Sequence, residues 1–381
     1  MSTKDAKFDE LCINTIRFLA VDAVQKANSG HQGMPMGCAP IAYTLFTKFM
    51  KYNPANPKWF NRDRFVLSAG HGSMLLYSML YLTGYDLPLE QLKQFRQWDS
   101  MTPGHPEAIS TPGVETTTGP LGQGISNAVG MAIAEEFLAG TFNKEDTELL
   151  DHYIYVIASD GDLMEGVSHE AASLAGHLKL GKLIVFYDDN NISIDGPTSL
   201  SYNDDNKKRF EAYHWHVQVI EDVNDLDAIE KAVKKAQKET SKPSIIITKT
   251  HIGFGSPNKQ DKSSAHGSPL GEEEVRLTKR NLGWPEDKTF YVPDEVSEYF
   301  SSFRQKGIKQ EEKWKKTYEK YTEKYPEEAK SFNALMYGQY GEGWKEKLPV
   351  FSTEKKIATR AASGKVLNSI ASSLPGLIGG S

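Results

Sequence analysis

The sequence predicts an α/β fold, namely a doubly wound parallel sheet with helices on both faces, followed by the start of a second, similar domain. Four short apolar runs recur along the chain: RFVLS, YIYVIAS, KLIVF and SIIIT. Helical segments lie between several of these runs, an alternation that is typical of a doubly wound sheet. The chain of 381 residues is also long enough to bury a full core.

The predicted helices have recognisable ends. Lys7 to Asn28 have helical periodicity and precede Gly30, a residue type that commonly ends helices. A further helix is predicted to begin near Ile125, and another to cover Val167 to Leu180. From about Gln305, charged and aromatic residues dominate, which predicts a solvated pair of helices.

These patterns divide the chain into three parts. Residues 1–322 are predicted to form the first domain. Residues 323–356 are predicted to be a helical segment and a linker, which contains EKLPVFSTEKK. Residues 357–381 begin a second domain with an amphipathic helix, IATRAASGKVL, and an apolar turn.

The composition is that of an ordinary globular protein. Hydrophobic residues make up 39% and charged residues 25%, and no apolar run is long enough to span a bilayer. The net charge of −6 argues against nucleic-acid binding, which depends on a broad basic face. The N-terminal segment lacks the features of a signal peptide, and the only cysteines are Cys12 and Cys38. We therefore expect a cytoplasmic protein with no nucleic-acid or membrane partner.

Two predicted strands end in side chains rich in oxygen. The run KLIVF continues into YDDNNISIDG, and the run YIYVIAS continues into DGDLMEG. A right-handed crossover through one helix would bring these strand ends together. Asp160 could then offer a carboxylate, Asn190 an amide oxygen and Ile192 a main-chain carbonyl to Mg²⁺, with phosphate oxygens completing the octahedron. The alternative interpretation is an ordinary polar turn of Asn, Asp and Gly.

Glycine-rich loops carry the other candidate residues. A single histidine is more often structural than functional, but four of the ten lie on predicted glycine-rich loops, each beside a glycine, namely His31, His71, His105 and His266. The segment TTGPLGQG places Gly119, Pro120 and Leu121 in a loop before a helix, for which a plain glycine turn is the alternative interpretation. Arg360, near a predicted helix start, is either a surface arginine or a phosphate ligand.

The pair of strand ends resembles the fingerprint of the thiamine diphosphate enzymes, a GDG followed about 30 residues later by NN. Ser159 stands where that pattern has its first glycine, a small departure if Ser159 still belongs to the strand. Blocks along nearly the whole chain resemble the transketolase family in particular: SGHQGMPMG, TPGHPE, TTGPLGQG, MEGVSHEAASLAGHLKLGKL, KTHIGFGS, HGSPLG and IATRAASGKVL.

This resemblance implies a thiamine diphosphate-binding fold, with a diphosphate-binding domain first and the start of a pyrimidine-binding domain last. The implied cofactor-binding residues are His71, Gly119, Pro120, Leu121, Gly161, Asn190 and His266. The implied metal ligands are Asp160, Asn190 and Ile192, and Ca²⁺ or another divalent cation can replace Mg²⁺. The implied substrate-binding residues are His31, His105, His266 and Arg360, of which His31 and His266 are also catalytic.

The implied reaction belongs to the pentose phosphate pathway and moves a two-carbon ketol unit from a ketose phosphate to an aldose phosphate, in a homodimer. Dihydroxyacetone synthase and deoxyxylulose phosphate synthase are alternatives that share the cofactor, and a non-catalytic or regulatory fragment is an alternative from another class. Family members continue for several hundred residues beyond the end of this sequence. We therefore expect the 381-residue chain to be truncated, and to be inactive alone because it lacks the glutamate that activates the cofactor.

Overall fold

The computed structural model describes residues 3–339 and 343–379. It divides into two compact units, Met1–Gly140 with Leu150–Lys313, and Thr141–Leu149 with Trp314–Ser381. Within the described ranges, no helix is both long enough and apolar enough to cross a membrane.

The first unit contains a parallel sheet of five strands: β1 (Arg64–Leu67), β2 (Ile154–Ser159), β3 (Leu183–Asp189), β4 (His216–Ile220) and β5 (Ser244–Lys249). Their order in the sheet is β1-β2-β3-β5-β4. The four apolar runs of the sequence form β1, β2, β3 and β5, which confirms that prediction. The fifth strand, β4, is an edge strand with partly exposed residues, so its sequence HVQVI lacks the continuous apolar character of a buried parallel strand.

Helices cover both faces of this sheet, as predicted. In the described residues of the two units together, the helices are α1 (Thr3–Ala27), α2 (Gly33–Thr44), α3 (Ser73–Thr83), α4 (Leu89–Leu92), α5 (Gln123–Phe142), α6 (Asp160–Met164), α7 (Gly166–His177), α8 (Asn206–Ala212), α9 (Leu226–Lys238), α10 (Glu272–Asn281), α11 (Asp294–Lys324), α12 (Pro326–Met336) and α13 (Thr359–Ile370), of which α12 and α13 belong to the second unit. Short 3-10 turns lie at Gly70–Gly72 and Ser263–Ala265, among other places.

The helices predicted from the sequence are present with small shifts at their ends. The first corresponds to α1, the one expected near Ile125 corresponds to α5, and the one expected over 167–180 corresponds to α7. Helix α7 stops early because Lys179 has a φ of 57°, which directs the chain into a turn rather than a further helical residue.

Alternating strand residues face opposite sides of the sheet and enter two separate cores. In β2, Tyr155 and Ile157 pack into the core that contains α1, α2 and α3 residues, whereas Val156 and Ala158 pack into the core that contains α5 and α7 residues. This period of two follows from strand geometry. Burial on both faces explains why these strands are continuously apolar in sequence.

The second unit is mainly helical. The predicted pair of helices is confirmed as the later part of α11 together with α12. The pair is not fully solvated, because Tyr321 and Phe332 are completely buried. The predicted linker has no helix or strand over residues 348–356, and the amphipathic helix predicted after residue 357 is α13.

Candidate functional site

A cavity of about 430 Å³ opens at the carboxyl ends of β2 and β3. Crevices at this end of an open parallel sheet are the usual place for ligands in such folds. The cavity is lined by ten of the residues singled out in the sequence: His31, His71, His105, Gly119, Leu121, Asp160, Gly161, Asn190, Ile192 and His266. These residues are far apart in sequence, and the fold brings them together.

Four histidines form one cluster on the wall of this cavity. The His31 ring centroid lies 5.3 Å from that of His71, 5.3 Å from that of His266 and 6.4 Å from that of His105. His71 and His266 are stacked, with their centroids 5.0 Å apart. His31 precedes α2, His71 follows β1 in a 3-10 turn, and His266 follows the turn Ser263–Ala265.

The environment of the cluster keeps the imidazoles neutral. Burial, with the nearby His266, Arg96 and His105, lowers the pKa of His31 to about 4. Burial also lowers the pKa values of His71, His105 and His266. A neutral imidazole has one donor and one acceptor nitrogen, so each ring can exchange a proton with a hydroxyl group.

Arg96 determines which nitrogen of His31 carries the proton. The arginine Nη2 lies 3.4 Å from His31 Nδ1, and its Nη1 donates to the Ser29 hydroxyl at 2.9 Å. An arginine can only donate hydrogen bonds, so Nδ1 must be the acceptor. The ring proton of His31 is therefore assigned to Nε2.

Asp160 has one carboxylate oxygen paired and one unpaired. Its Oδ1 accepts a hydrogen bond from the Tyr187 hydroxyl, while Oδ2 is buried and has no hydrogen-bond partner in the described part of the chain. Burial raises the pKa of Asp160 to about 7, and the carboxylates of Asp188 and Asp189 raise it too. A buried, unpaired carboxylate oxygen is costly unless it has a ligand.

Asn190 lies beside Asp160 because β2 and β3 are adjacent, with Ser159 opposite Asp188 in the register. Its Oδ1 accepts from the main-chain nitrogen of Ile192 at 2.9 Å, and its Nδ2 donates to Asp188 Oδ2 at 3.0 Å. These two bonds fix the orientation of the amide. The predicted meeting of the two strand ends is confirmed.

The residues at these strand ends fit a hard cation that also binds phosphate. They provide a carboxylate oxygen that no other described residue contacts by a hydrogen bond, an amide oxygen with a second lone pair and a main-chain carbonyl at Ile192. Three or so protein oxygens, with the remainder from phosphate and water, form a common Mg²⁺ environment. The described residues contain no group of three or more His, Cys, Asp or Glu side chains placed to hold a metal alone, so the phosphate would have to complete this site.

Ser159 and Asp162 shape the turn that presents Asp160. Ser159 is the last residue of β2 and has an extended φ of −114°, so a glycine is not required there and the departure from the GDG pattern has no backbone cost. Asp162 is fully buried and accepts from the main-chain nitrogens of Ser159 at 2.9 Å and Gly122 at 2.8 Å. It also accepts from the Ser68 hydroxyl at 2.7 Å, and so joins three chain segments.

Two predicted site residues are placed differently from the others. Pro120 is exposed and is not among the residues that line the cavity, although Gly119 and Leu121 on either side of it are. Arg360 belongs to the second unit, where it is exposed in the first turn of α13.

The cavity also contains residues that sequence reasoning did not select: Met34, Ser159, Met164, Glu165, Ser193, Ile194, Asp195 and Ile252. Most are neighbours of selected motif residues, so the motifs themselves were the available signal. Asp162 had a clearer sequence signal, because SDGD has the Ser-x-x-acid spacing of a helix capping box. Both hydrogen bonds of that box are present in the structure.

Comparisons with known proteins agree with this geometry. Residues 8–341 match the family described as transketolase, thiamine diphosphate binding domain. A transketolase from Halalkalibacterium halodurans is 56% identical over 98% of this chain and 56% of its own length. A chloroplastic transketolase from Spinacia oleracea is 54% identical over 100% of this chain and 52% of its own length.

Solved structures give the same result. A Pichia stipitis transketolase in complex with sedoheptulose 7-phosphate matches with a TM-score of 0.91 and 47% identity, over 96% of this chain and 54% of that chain. A transketolase from Leishmania mexicana matches with a TM-score of 0.93 and 47% identity, over 97% of this chain and 55% of that chain. The chain thus spans about half the length of the relatives that it matches. It belongs to the transketolase family, and residues 8–341 are its thiamine diphosphate binding domain.

Proposed function

We propose that this chain provides the diphosphate-binding part of a transketolase active site, and that it binds thiamine diphosphate through a divalent cation. The observation that carries this proposal is the buried Oδ2 of Asp160, which has no hydrogen-bond partner within residues 3–339 and 343–379. Asp160 lies with Asn190 at the ends of adjacent strands, in a cavity that also contains four histidines. An ordinary polar turn would not leave a carboxylate oxygen buried without a partner.

Asp160, Asn190 and the carbonyl of Ile192 would hold Mg²⁺, or Ca²⁺ or another divalent cation in its place. The cation would neutralise the diphosphate, which the acidic strand ends alone would repel. His71, Gly119, Pro120, Leu121, Gly161 and His266 are proposed to contact the cofactor. When bound, thiamine diphosphate supplies the carbon centre that carries a two-carbon ketol unit.

The proposed substrates are a ketose phosphate donor and an aldose phosphate acceptor, which agrees with the sugar phosphate bound to the Pichia stipitis relative. His31, His105 and His266 would bind sugar hydroxyls, and His31 and His266 would also move protons. Their lowered pKa values support this assignment, because neutral rings can both donate and accept at pH 7. Arg360 is proposed to bind the terminal phosphate of the sugar.

A homodimer and a cytoplasmic location complete the proposal. Val167, Leu174 and Leu178 lie on one face of the α7 region and are each more than 40% exposed, so they offer an apolar surface to a second copy. Cys12 and Cys38 are buried free thiols, which suits a reducing compartment. Sedimentation velocity tests the proposed homodimer, and localisation of the tagged protein in cells tests the proposed cytoplasmic location.

The decisive experiment measures thiamine diphosphate binding by calorimetry with and without Mg²⁺. We expect binding to require the cation and to be lost in Asp160→Asn, which keeps the shape of the side chain but removes its charge. Asp225→Asn is the control, because Asp225 lies at the N-cap of α9 and is not among the residues that line the cavity. Equal binding by the Asp160→Asn variant and the parent chain would contradict the metal assignment.

The proposed reaction is tested separately. A protein that also contains the glutamate that activates the cofactor is incubated with xylulose 5-phosphate, an aldose phosphate, Mg²⁺ and thiamine diphosphate. We expect a sugar phosphate two carbons longer than the aldose phosphate acceptor, detected by mass spectrometry. Transfer only to an unphosphorylated acceptor would favour the dihydroxyacetone synthase alternative. Cofactor binding without any transfer would favour the non-catalytic alternative.

A further inference from the structure

Gln32 links the segment that carries His31 to the loop that carries His266. Its side chain is 1% exposed, and its Nε2 donates to the main-chain oxygens of Ala265 at 3.2 Å and Ser268 at 2.7 Å. These two acceptors lie one residue before and two residues after His266. A single side-chain amide therefore holds the main chain on both sides of a cavity histidine.

The orientation of this amide is fixed by its partners. Both contacts are made to carbonyl oxygens, which accept only, so the NH₂ group must face them. A reversed amide would place Oε1 against two oxygens and lose both bonds. In the present orientation Oε1 has no hydrogen-bond partner in the described part of the chain, so both side-chain hydrogen bonds of this residue go to the His266 loop.

The two segments are in direct main-chain contact beside Gln32. The main-chain nitrogen of Gly253 donates to the oxygen of Gly33 at 2.9 Å. A Cβ atom added to Gly33 would lie 2.4 Å from the oxygen of Ala265, so only glycine permits this approach. Residues 250–271 contain no strand and no α-helix, only the short 3-10 turn at Ser263–Ala265. The position of this loop therefore depends on individual contacts of this kind.

We propose that Gln32 is a positioning residue that holds the main chain at His266 against the His31 segment, and thereby sets the separation of the two imidazoles. The placement of the loop follows from geometry alone, whereas its importance for ketol transfer rests on the proposed function. Gln32 itself is not among the residues that line the cavity. Its contribution would be to hold the ring centroids of His31 and His266 at their distance of 5.3 Å.

The first test uses Gln32→Met, which keeps the length and approximate volume of the side chain but removes both donors. The amides of Ala265 and His266 are suitable probes because each is hydrogen-bonded within the turn, to Lys262 and Ser263 respectively. Two lost hydrogen bonds at about 1 kcal/mol each should speed local hydrogen exchange of these amides about tenfold or more. The matched control is Gln218→Met, because Gln218 Nε2 also donates to a main-chain oxygen, that of Ala232, but lies in the edge strand β4 and does not line the cavity.

A spectroscopic measurement separates positioning from general stability. The His266 ring stacks on that of His71, so its ring-proton chemical shifts report the placement of the loop. We expect the His266 ring resonances to move in Gln32→Met and to remain unchanged in Gln218→Met, at equal urea midpoints for the two variants. Unchanged exchange at Ala265 and His266 together with unchanged His266 resonances would overturn the proposal.

Gln32→Glu provides a graded second variant that remains informative if Gln32→Met does not fold. A buried carboxyl group at this position would be protonated and could donate to one of the two carbonyls. Its exchange rates should therefore lie between those of the parent chain and Gln32→Met, and parent-like rates in this variant would count against the proposal. None of these measurements needs cofactor or turnover, so a failure of the proposed function would leave their outcome unaffected.

Discussion

The hydroxyl of Tyr187 in β3 donates a hydrogen bond to Asp160 Oδ1 at the end of β2. This bond joins two adjacent strands, and Oδ2 of the same carboxylate has no hydrogen-bond partner among the residues that the structure describes. Because a hydrogen bond to the charged form favours ionisation, Tyr187 opposes the effect of burial on the pKa of Asp160. One buried tyrosine thus both orients the proposed metal ligand and helps to keep it charged.

Tyr187→Phe should weaken Mg²⁺-dependent binding of thiamine diphosphate about tenfold, the lower end of the range for loss of a residue that supports a metal ligand. The physical reason is the loss of the hydrogen bond that orients Asp160 and favours its charged form. Calorimetry would measure the change. Tyr155→Phe, a buried tyrosine on β2 whose side chain packs in the opposite core, should leave the affinity unchanged. Equal losses in the two variants would point to a general packing effect instead.

His31 should titrate with a pKa near 4 in an NMR titration of the imidazole resonances. The unfolded chain would bind a proton at about pH 6.5, so this histidine reduces the stability of the fold as the pH falls from about 6.5 to 4. His31→Asn should therefore lose less stability than the parent chain between pH 7 and pH 4.5, as measured by urea unfolding. His214→Asn, at an exposed position, is the control. An ordinary titration of His31 near pH 6.5 would contradict the prediction.

Asp162→Asn should destabilise the fold by about 1–3 kcal/mol, because one oxygen that accepts from a main-chain N–H is replaced by an NH₂ group that cannot. The measurement is the free energy of unfolding in urea. Asp225→Asn is a matched control at the N-cap of α9, where asparagine caps as well as aspartate does. A change below about 0.5 kcal/mol in Asp162→Asn would show that Asp162 does not hold the three segments together.

Gly124→Ala and Gly130→Ala should have opposite effects within one helix, α5. A Cβ atom at Gly124 would lie 2.4 Å from the Cα atom of Ser68, so the main chain must move, at a cost of about 1–3 kcal/mol. At Gly130, apart from its chain neighbours and the nearby backbone of α5, no atom of the described residues lies within 4 Å of the added atom, and alanine should stabilise the helix by about 0.5–1 kcal/mol. Thermal unfolding of the two variants tests this, and a Gly124→Ala variant as stable as the parent chain would contradict the close approach of α5 to Ser68.

Local patterns in the sequence determined the parallel sheet, most of its strands and the ends that bear Asp160 and Asn190. These features depend on alternation, length and glycine placement within a few residues, which a single segment contains in full. Family resemblance added the roles of the four histidines and of the loop at Gly119. Edge strand β4 was not predicted from the sequence, because it is only partly buried and so lacks a strong apolar pattern.

Only the tertiary structure decided which partners these residues have. The Tyr187 bond to Asp160 joins residues 27 apart, the Gly122 bond to Asp162 joins residues 40 apart, and the Gln32 bond to Ala265 joins residues 233 apart. Such pairs depend on strand register and on how loops pack, which no local pattern records. The physical reason is that hydrophobic periodicity specifies which face of an element is buried, whereas a buried polar group must find its partner wherever the assembled fold places one.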